Sequence, residues 1–343
     1  MHKTRRSRNI LVVIKTVEKT MDTHVTEKSS DIEEFINITK RDLEKKIKDM
    51  ITDKKIVGIL KGGKRLRPLL AHISFKACTQ GKETRKEYRK ALEGGVVIEL
   101  AHAASLVHDD IIDEDIERRG KPSYHVKKGI ANAILTGHKM LVIGFNVALK
   151  HGEEWAKLYV DSWNEVVNGE INEVNFNKKN LKYWGQISSK SEILDIYNKI
   201  INLKTAVLFS SVCKAGALEA NMTEDVIILF GDYGREIGIA YQLADDLVDL
   251  SKGEMIDSVI VPLLNKIEGS KINTLNKMVI KRKFVKNKDK IQALYIDEIK
   301  KHIKKAEDLS LSKEIPESQY KNLLNDFPKY IINEMLKEIN ITL

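Results

Sequence analysis

The chain holds 343 residues, with 58 Lys and Arg against 49 Asp and Glu, a formal net charge of +9, and 42% hydrophobic residues. That apolar content excludes a disordered polymer and lets a chain of this length bury one extended core. Only two cysteines occur, Cys78 and Cys213, without zinc-type spacing, which excludes a disulfide scaffold and a Cys/His metal centre and fits a reduced, cytoplasmic compartment.

Much of the charge is local. Residues 1–20 carry six Lys/Arg against one Glu, and residues 271–290 carry eight against one Asp. Neither stretch interleaves aromatics or matches a binding module, so no nucleic acid is expected as a partner. A solvated surface, or weak attraction to an anionic membrane face, is the expected use. The basic start lacks the apolar core and cleavage site of a secretory signal. Aliphatic runs such as Ile10–Ile14 and Val226–Leu229 are too short to cross a bilayer, so no transmembrane segment is expected. Residues 1–25 read as a flexible basic extension. Residues 26–343 read as one domain, because the chain has only 5 Pro and no Gly/Ser-rich linker.

Helix-period apolar patterns run along the chain, and alternating runs are few, which predicts an all-α fold. The first helix is expected over 31–60. GGKRLRP, Gly62–Pro68, follows, and a second helix over 66–79 has Pro68 near its first turn. Lys64, Arg65 and Arg67 beside a helix start make either a basic surface loop or a phosphate site.

A helix over 86–116 ends in DDIID, with Asp109, Asp110 and Asp113. On a helix, positions i and i+4 share a face and i+1 lies about 100° away, so three carboxylates project together. His102 precedes them by two turns and His108 directly; a lone histidine there is more often packed than ligating. Arg118 and Arg119 come next, able to hold phosphate oxygens or to pair with Glu114, Asp115 and Glu117. Gly120 and Pro122 mark the helix stop.

Helices over 129–150, 153–175 and 188–219 are expected next, the last with a break near Lys204. Lys204 and Thr205 interrupt an apolar stretch and face either solvent or a polar site. A helix over 223–251 carries DDLVD, with Asp245, Asp246 and Asp249, and Tyr241 and Gln242 one turn before it. Helices over 257–280, 288–308 and 317–341 close the chain. Unpaired buried carboxylates are costly, so two such clusters call for several Mg²⁺ ions and a polyanion between them.

In this order and spacing, GGKRLRP, ELAHAASLVHDDIIDEDIERRGKPS, KT and YQLADDLVDL resemble the trans-prenyltransferases, or polyprenyl diphosphate synthases, from about Ile32 to Leu264. The combination is highly specific, although each motif alone is not. The resemblance implies a single-domain, all-α isoprenoid synthase-type bundle around a deep central cavity, usually a homodimer. It implies head-to-tail joining of isopentenyl diphosphate to an allylic diphosphate with three Mg²⁺ per site. By resemblance, Asp109, Asp113 and Asp245 are direct Mg²⁺ ligands, supported by Asp110, Asp246 and Asp249. Arg118 and Lys204 would contact the allylic diphosphate, and Lys64, Arg67, His102 and Arg119 the isopentenyl diphosphate. Thr205, Tyr241 and Gln242 would line the reacting centre, and the proton would leave to the departed diphosphate without a dedicated protein base.

Product length is expected to depend on small residues behind Asp109: Ser105, Ala104 and Ala101, with Ile98 and Val97 beyond. Their size predicts a chain of twenty carbons or more, a geranylgeranyl product first and a longer polyprenyl second. Leu141, Phe145 or Phe176 could supply the floor. Two places depart from the family pattern. The segment after Asp249 is brief, with Lys252 as its nearby lysine and the basic stretch 271–290 as a substitute lid. NGEINEVNF stands where the family has Gly-Gln and an acid, leaving Glu170 or Asn172 for that role. The retained second motif and the basic loop argue against a terpene cyclase, and both intact acidic clusters argue against a non-catalytic subunit.

Overall fold

A computed structural model of the chain describes residues 31–183, 201–252 and 277–343. The helices expected over 188–200 and 257–276 and the extension 1–25 lie outside the described residues, as do the side chains of Phe176, Lys204 and residues 277–281. The described elements are α1 (31–50), α2 (Lys54–Leu60), α3 (Leu66–Thr79), α4 (Arg85–Ile112), α5 (Tyr124–Lys128), α6 (Ile130–His151) and α7 (Glu153–Tyr183). A π-helical turn at Asn202–Ala206 leads straight into α8 (Val207–Glu219), followed by α9 (Glu224–Lys252), α10 (Lys277–Ser310) and α11 (Gln319–Leu336).

Three expectations change. The helix expected over 31–60 breaks after residue 50, because Asp53 accepts from the Lys55 N–H and caps a separate α2. The helix expected over 86–116 stops at Ile112, and a short antiparallel hairpin follows, β1 (Glu117–Arg118) with β2 (Lys121–Pro122). Its two-residue loop is Arg119–Gly120, both at positive φ, 53° and 69°, as a tight hairpin turn requires. The break expected between 280 and 288 is absent. Here α10 is continuous, with Phe284, Ile291 and Tyr295 buried on one face, so the basic run is the solvated side of one amphipathic helix.

The main core joins α3, α8, α9, α10 and α11 around Leu70, Phe209, Phe230, Tyr233 and Phe327, all essentially buried. Glycines let these helices approach to backbone contact. A Cβ at Gly216 would lie 2.2 Å from the Ala71 carbonyl oxygen, and one at Gly234 would lie 2.2 Å from that of Phe209. A second core of Ile47, Ile56, Leu60, Leu100, Ala104 and Met140 ties α1, α2 and α6 to α4. Thus α4 sits between two cores, with its C-terminal end directed at the hairpin.

One helix, α6, is long and apolar enough by length and composition to cross a membrane, with mean hydropathy 1.2 over its best window. The aliphatic runs did not reveal it, because Gly, Ala and Asn interrupt them. One stripe (Ala133, Gly137, Met140, Gly144, Ala148) is buried, while Ile130, Ile134, Leu135, Val142 and Leu149 are exposed.

Candidate functional site

The first acidic cluster is also a helix terminus. Asp113 caps α4, its N–H bonding to the Asp109 carbonyl at 2.8 Å. Glu114 turns left-handed at φ 59°, and the Asp115 N–H returns to the Asp110 carbonyl at 2.9 Å. This 6→1 closure satisfies the last carbonyls of the helix. The hairpin then folds Arg118 back so that its Nε donates to Asp110 Oδ1 at 2.5 Å. Asp110 is buried; burial raises its carboxyl pKa and Arg118 opposes the rise. Arg118 lies only marginally near Asp115, at 4.0 Å, so the acid it chiefly serves is one of the motif itself.

The second cluster lies in the last turns of α9 as described, Asp249 standing three residues before Lys252. Thr205, in the π-helical turn, donates to Gln242 Oε1 at 2.7 Å, and Gln242 Nε2 donates to buried Asp246 at 2.9 Å. These two bonds fix which way the Gln242 amide points. The irregular turn expected near Lys204 is therefore a π-helical turn that aims its neighbour at the second motif. Burial pushes the Asp245 carboxyl upward, with Lys64 the strongest opposing charge and Glu338 adding to the rise. Lys252 pairs with Glu338 at 2.7 Å and also lowers the Asp245 carboxyl pKa.

The GGKRLRP loop separates its three cations. Arg65 stands at φ 60° before α3, and its buried guanidinium binds Glu99 at 2.6 Å and Glu44 at 2.7 Å. It is a structural cation, which removes it as a phosphate donor. Lys64 is exposed on the same turn. Arg67 lies over the Phe209 ring at 5.1 Å, and its Nη1 is 3.0 Å from His102 Nε2. Burial lowers the Arg67 pKa, while Tyr241, Glu99, Asp245 and Asp109 oppose the fall. Both acidic motifs therefore favour the charged form of one partly buried guanidinium. Tyr241 joins them there, its ring 5.2 Å from Phe209.

Burial and then Arg67, Arg119, Arg118 and Arg65 hold the His102 pKa well below that of free imidazole. His102 is thus neutral, with Nε2 accepting from Arg67 and the proton on Nδ1. That Nδ1 and the Arg67 Nε are buried without a hydrogen-bond partner among the described residues. Buried donors of this kind are poised for an anionic ligand.

Three cavities meet here. A cationic one of about 530 Å³ lies between α2, α4 and the hairpin, lined by His102, Asp110, Arg118 and Arg119 and rimmed by lysines including Lys61 and Lys121. An outer apolar one of about 290 Å³ lies between α4 and α7, lined by Ser105, Asp109, Trp163, Val166, Glu170 and Val174. An inner one of about 50 Å³ continues beside Ile98, Ala101, Trp155, Trp163, Leu208 and Val212. Glu170, not the exposed Asn172, faces the cleft beside Asp109.

Ala101 and Ser105 line these apolar cavities, but Ala104 does not. Ala104 is fully buried in the second core with Leu100 and Met140. Five residues at 100° each place it about 140° around the helix from Asp109, whereas Ser105 is only about 40° away. Val97 is likewise buried in the main core rather than lining the cleft. Leu141 and Phe145 touch Tyr159, through its hydroxyl at 3.0 Å and its ring at 6.2 Å, and line neither cavity themselves. The residues missed from the sequence are the rim lysines Lys61 and Lys121 and the pair Trp155 and Trp163. Spacing alone could have found Trp163, which lies two helical turns before Glu170 on the same face.

The family model for polyprenyl synthetase matches residues 49–308, and the chain belongs to that family. It is 32% identical over 215 residues to a geranylgeranyl diphosphate synthase of Methanosarcina mazei, covering 61% of this chain and 59% of that one. It is 30% identical to a short chain isoprenyl diphosphate synthase of Methanothermobacter thermautotrophicus, over 68% of each chain. The fold is similar to that of a geranylgeranyl pyrophosphate synthetase from the archaeon Geoglobus acetivorans, at TM-score 0.70 and 25% identity, covering 88% of this chain and 98% of that one.

Proposed function

We propose that the protein joins isopentenyl diphosphate head-to-tail to an allylic diphosphate, giving a trans-polyprenyl diphosphate. The observation that carries this is the convergence on Arg67. Asp109 and Asp245, from two distant helices, both act on it, and His102 beside it keeps an unpartnered donor. A site that gathers carboxylates, arginines and orphan donors around apolar space suits a substrate with a diphosphate head and a hydrocarbon tail.

The acids fit Mg²⁺, because they are hard oxygen donors and burial leaves Asp245 in need of a neutralising cation. Asp109, Asp113 and Asp245 would hold the ions, with Asp249 beside them; when bound, the ions would neutralise charge on the leaving diphosphate. Asp110 and Asp246 support from behind, since each is buried and already hydrogen-bonded to a neighbour. Lys64, Arg119, the His102 Nδ1–H and Arg67 would hold the isopentenyl diphosphate, with Arg118 and Lys204 on the allylic one. Thr205, Gln242 and Tyr241 would border the carbons that react. The apolar cleft excludes water from an allylic cation that water would destroy.

The exposed apolar face of α6 would be covered by a second copy of the chain, giving a homodimer. A product of twenty carbons or more accords with the names of the relatives and with the small Ala101 and Ser105. Protein incubated with Mg²⁺, labelled isopentenyl diphosphate and allylic primers of several lengths is expected to yield extended diphosphates. Folded protein that extends no primer would rule this function out.

A further inference from the structure

We propose that Trp163 sets the length at which the growing isoprenoid chain stops, an inference that rests on the cleft between α4 and α7 being the elongation channel. Positions 98, 101, 105, 109 and 112 follow helical spacing and form the α4 wall of that cleft. Asp109 stands at the mouth of the outer cavity; Ser105 lies about 6 Å and Ile98 about 16 Å farther along the axis. Small side chains at Ala101 and Ser105 leave the opposite wall to decide how far a chain penetrates. Among the described residues, Trp163 is the one that lines both the outer and the inner cavity.

The contrast with Trp155 separates a stop from a floor. Trp155 is 5% exposed, and a Cβ at Gly94 would lie 2.9 Å from its ring. Its ring packs 5.2 Å from that of His151, which Glu219 holds at 2.7 Å while Lys90 pairs with the same carboxylate at 2.9 Å. Trp155 is wedged against this network and lines the inner cavity. Trp163 has empty space on two sides, so removing it joins about 290 Å³ to the space beneath. A chain starting at Asp109 meets Trp163 before it meets Trp155.

The test is product sizing by chromatography on the full chain with Mg²⁺, labelled isopentenyl diphosphate and an allylic primer. Trp163→Ala is expected to shift the main product upward by at least one five-carbon unit, with the first addition slowed by less than about threefold. Trp163→Leu gives the same direction with less disturbance of the fold. Ala215→Leu fills the inner cavity from α8; alone it should leave product length as it is, and combined with Trp163→Ala it should cancel the lengthening. Unchanged products from folded, active Trp163→Ala or Trp163→Leu would overturn the proposal while leaving the synthase activity standing. Shortening by Ala215→Leu alone would overturn it too, because the chain would then already pass Trp163. Absence of any extension by the unaltered chain would instead strike the activity itself.

Discussion

The two acidic motifs share the spacing of their acids but are held in place by different means. DDIID closes α4, where the backbone turns away through left-handed Glu114 and a hairpin brings Arg118 back onto Asp110. DDLVD lies within α9, and its buried member Asp246 is fixed by a hydrogen-bond line from Thr205 through Gln242. In each, one carboxylate is spent on holding the motif in place: a guanidinium steadies the first motif, and an amide steadies the second. Of the remaining acids, Asp109 and Asp245 both favour the charged form of Arg67. Identical letters therefore divide into an anchor and a ligand, by different local means.

This comparison can be broken at several levels. The largest effect is expected from the ligand acids: Asp109→Ala or Asp245→Ala should each lower turnover by on the order of 10²–10³-fold or more, with little change in melting temperature. Near-normal turnover in either would contradict their assignment. The anchors should behave differently. Gln242→Ala leaves the Thr205 hydroxyl without its acceptor and takes one donor from buried Asp246, so it should cost about 1–3 kcal/mol of stability as well as activity, read by denaturant titration. Arg118→Ala leaves buried Asp110 without its guanidinium; because the arginine is one-third exposed, the loss should be smaller, about 1 kcal/mol. Equal losses would show that the hairpin and the interior line do not differ as described. The smallest effect concerns the terminus alone. Glu114→Gly removes a left-handed non-glycine residue and should be neutral or stabilising by up to about 1 kcal/mol, with unchanged turnover. A clear loss would mean that the Glu114 carboxylate has work of its own.

What could be read from the chain follows this division. Spacing on helices is local, so the acids, Arg67, His102 and the helix over 66–79 were legible. Features that depend on where the chain turns were not. The Arg119–Gly120 hairpin lacks an Asn-Gly or Asp-Gly pair, and its strands are two residues each. Arg65 looked equivalent to Lys64 and Arg67 until one left-handed residue aimed it at Glu99 and Glu44. Ala104 was placed on the cleft by nearness in sequence, although its angle around the helix puts it on another face. Trp163 is legible only in part: spacing puts it on the face of Glu170, but its place opposite α4 is set across space, which no short-range pattern records.

The central claim is that the two motifs act as one site on one polyanion. Calorimetric titration of inorganic diphosphate with Mg²⁺ into the unaltered chain, Asp109→Ala, Asp245→Ala and the double variant tests it most directly. Shared binding predicts strong non-additivity, with each single substitution costing nearly as much affinity as both together. Losses that simply add would show two independent sites and contradict the account.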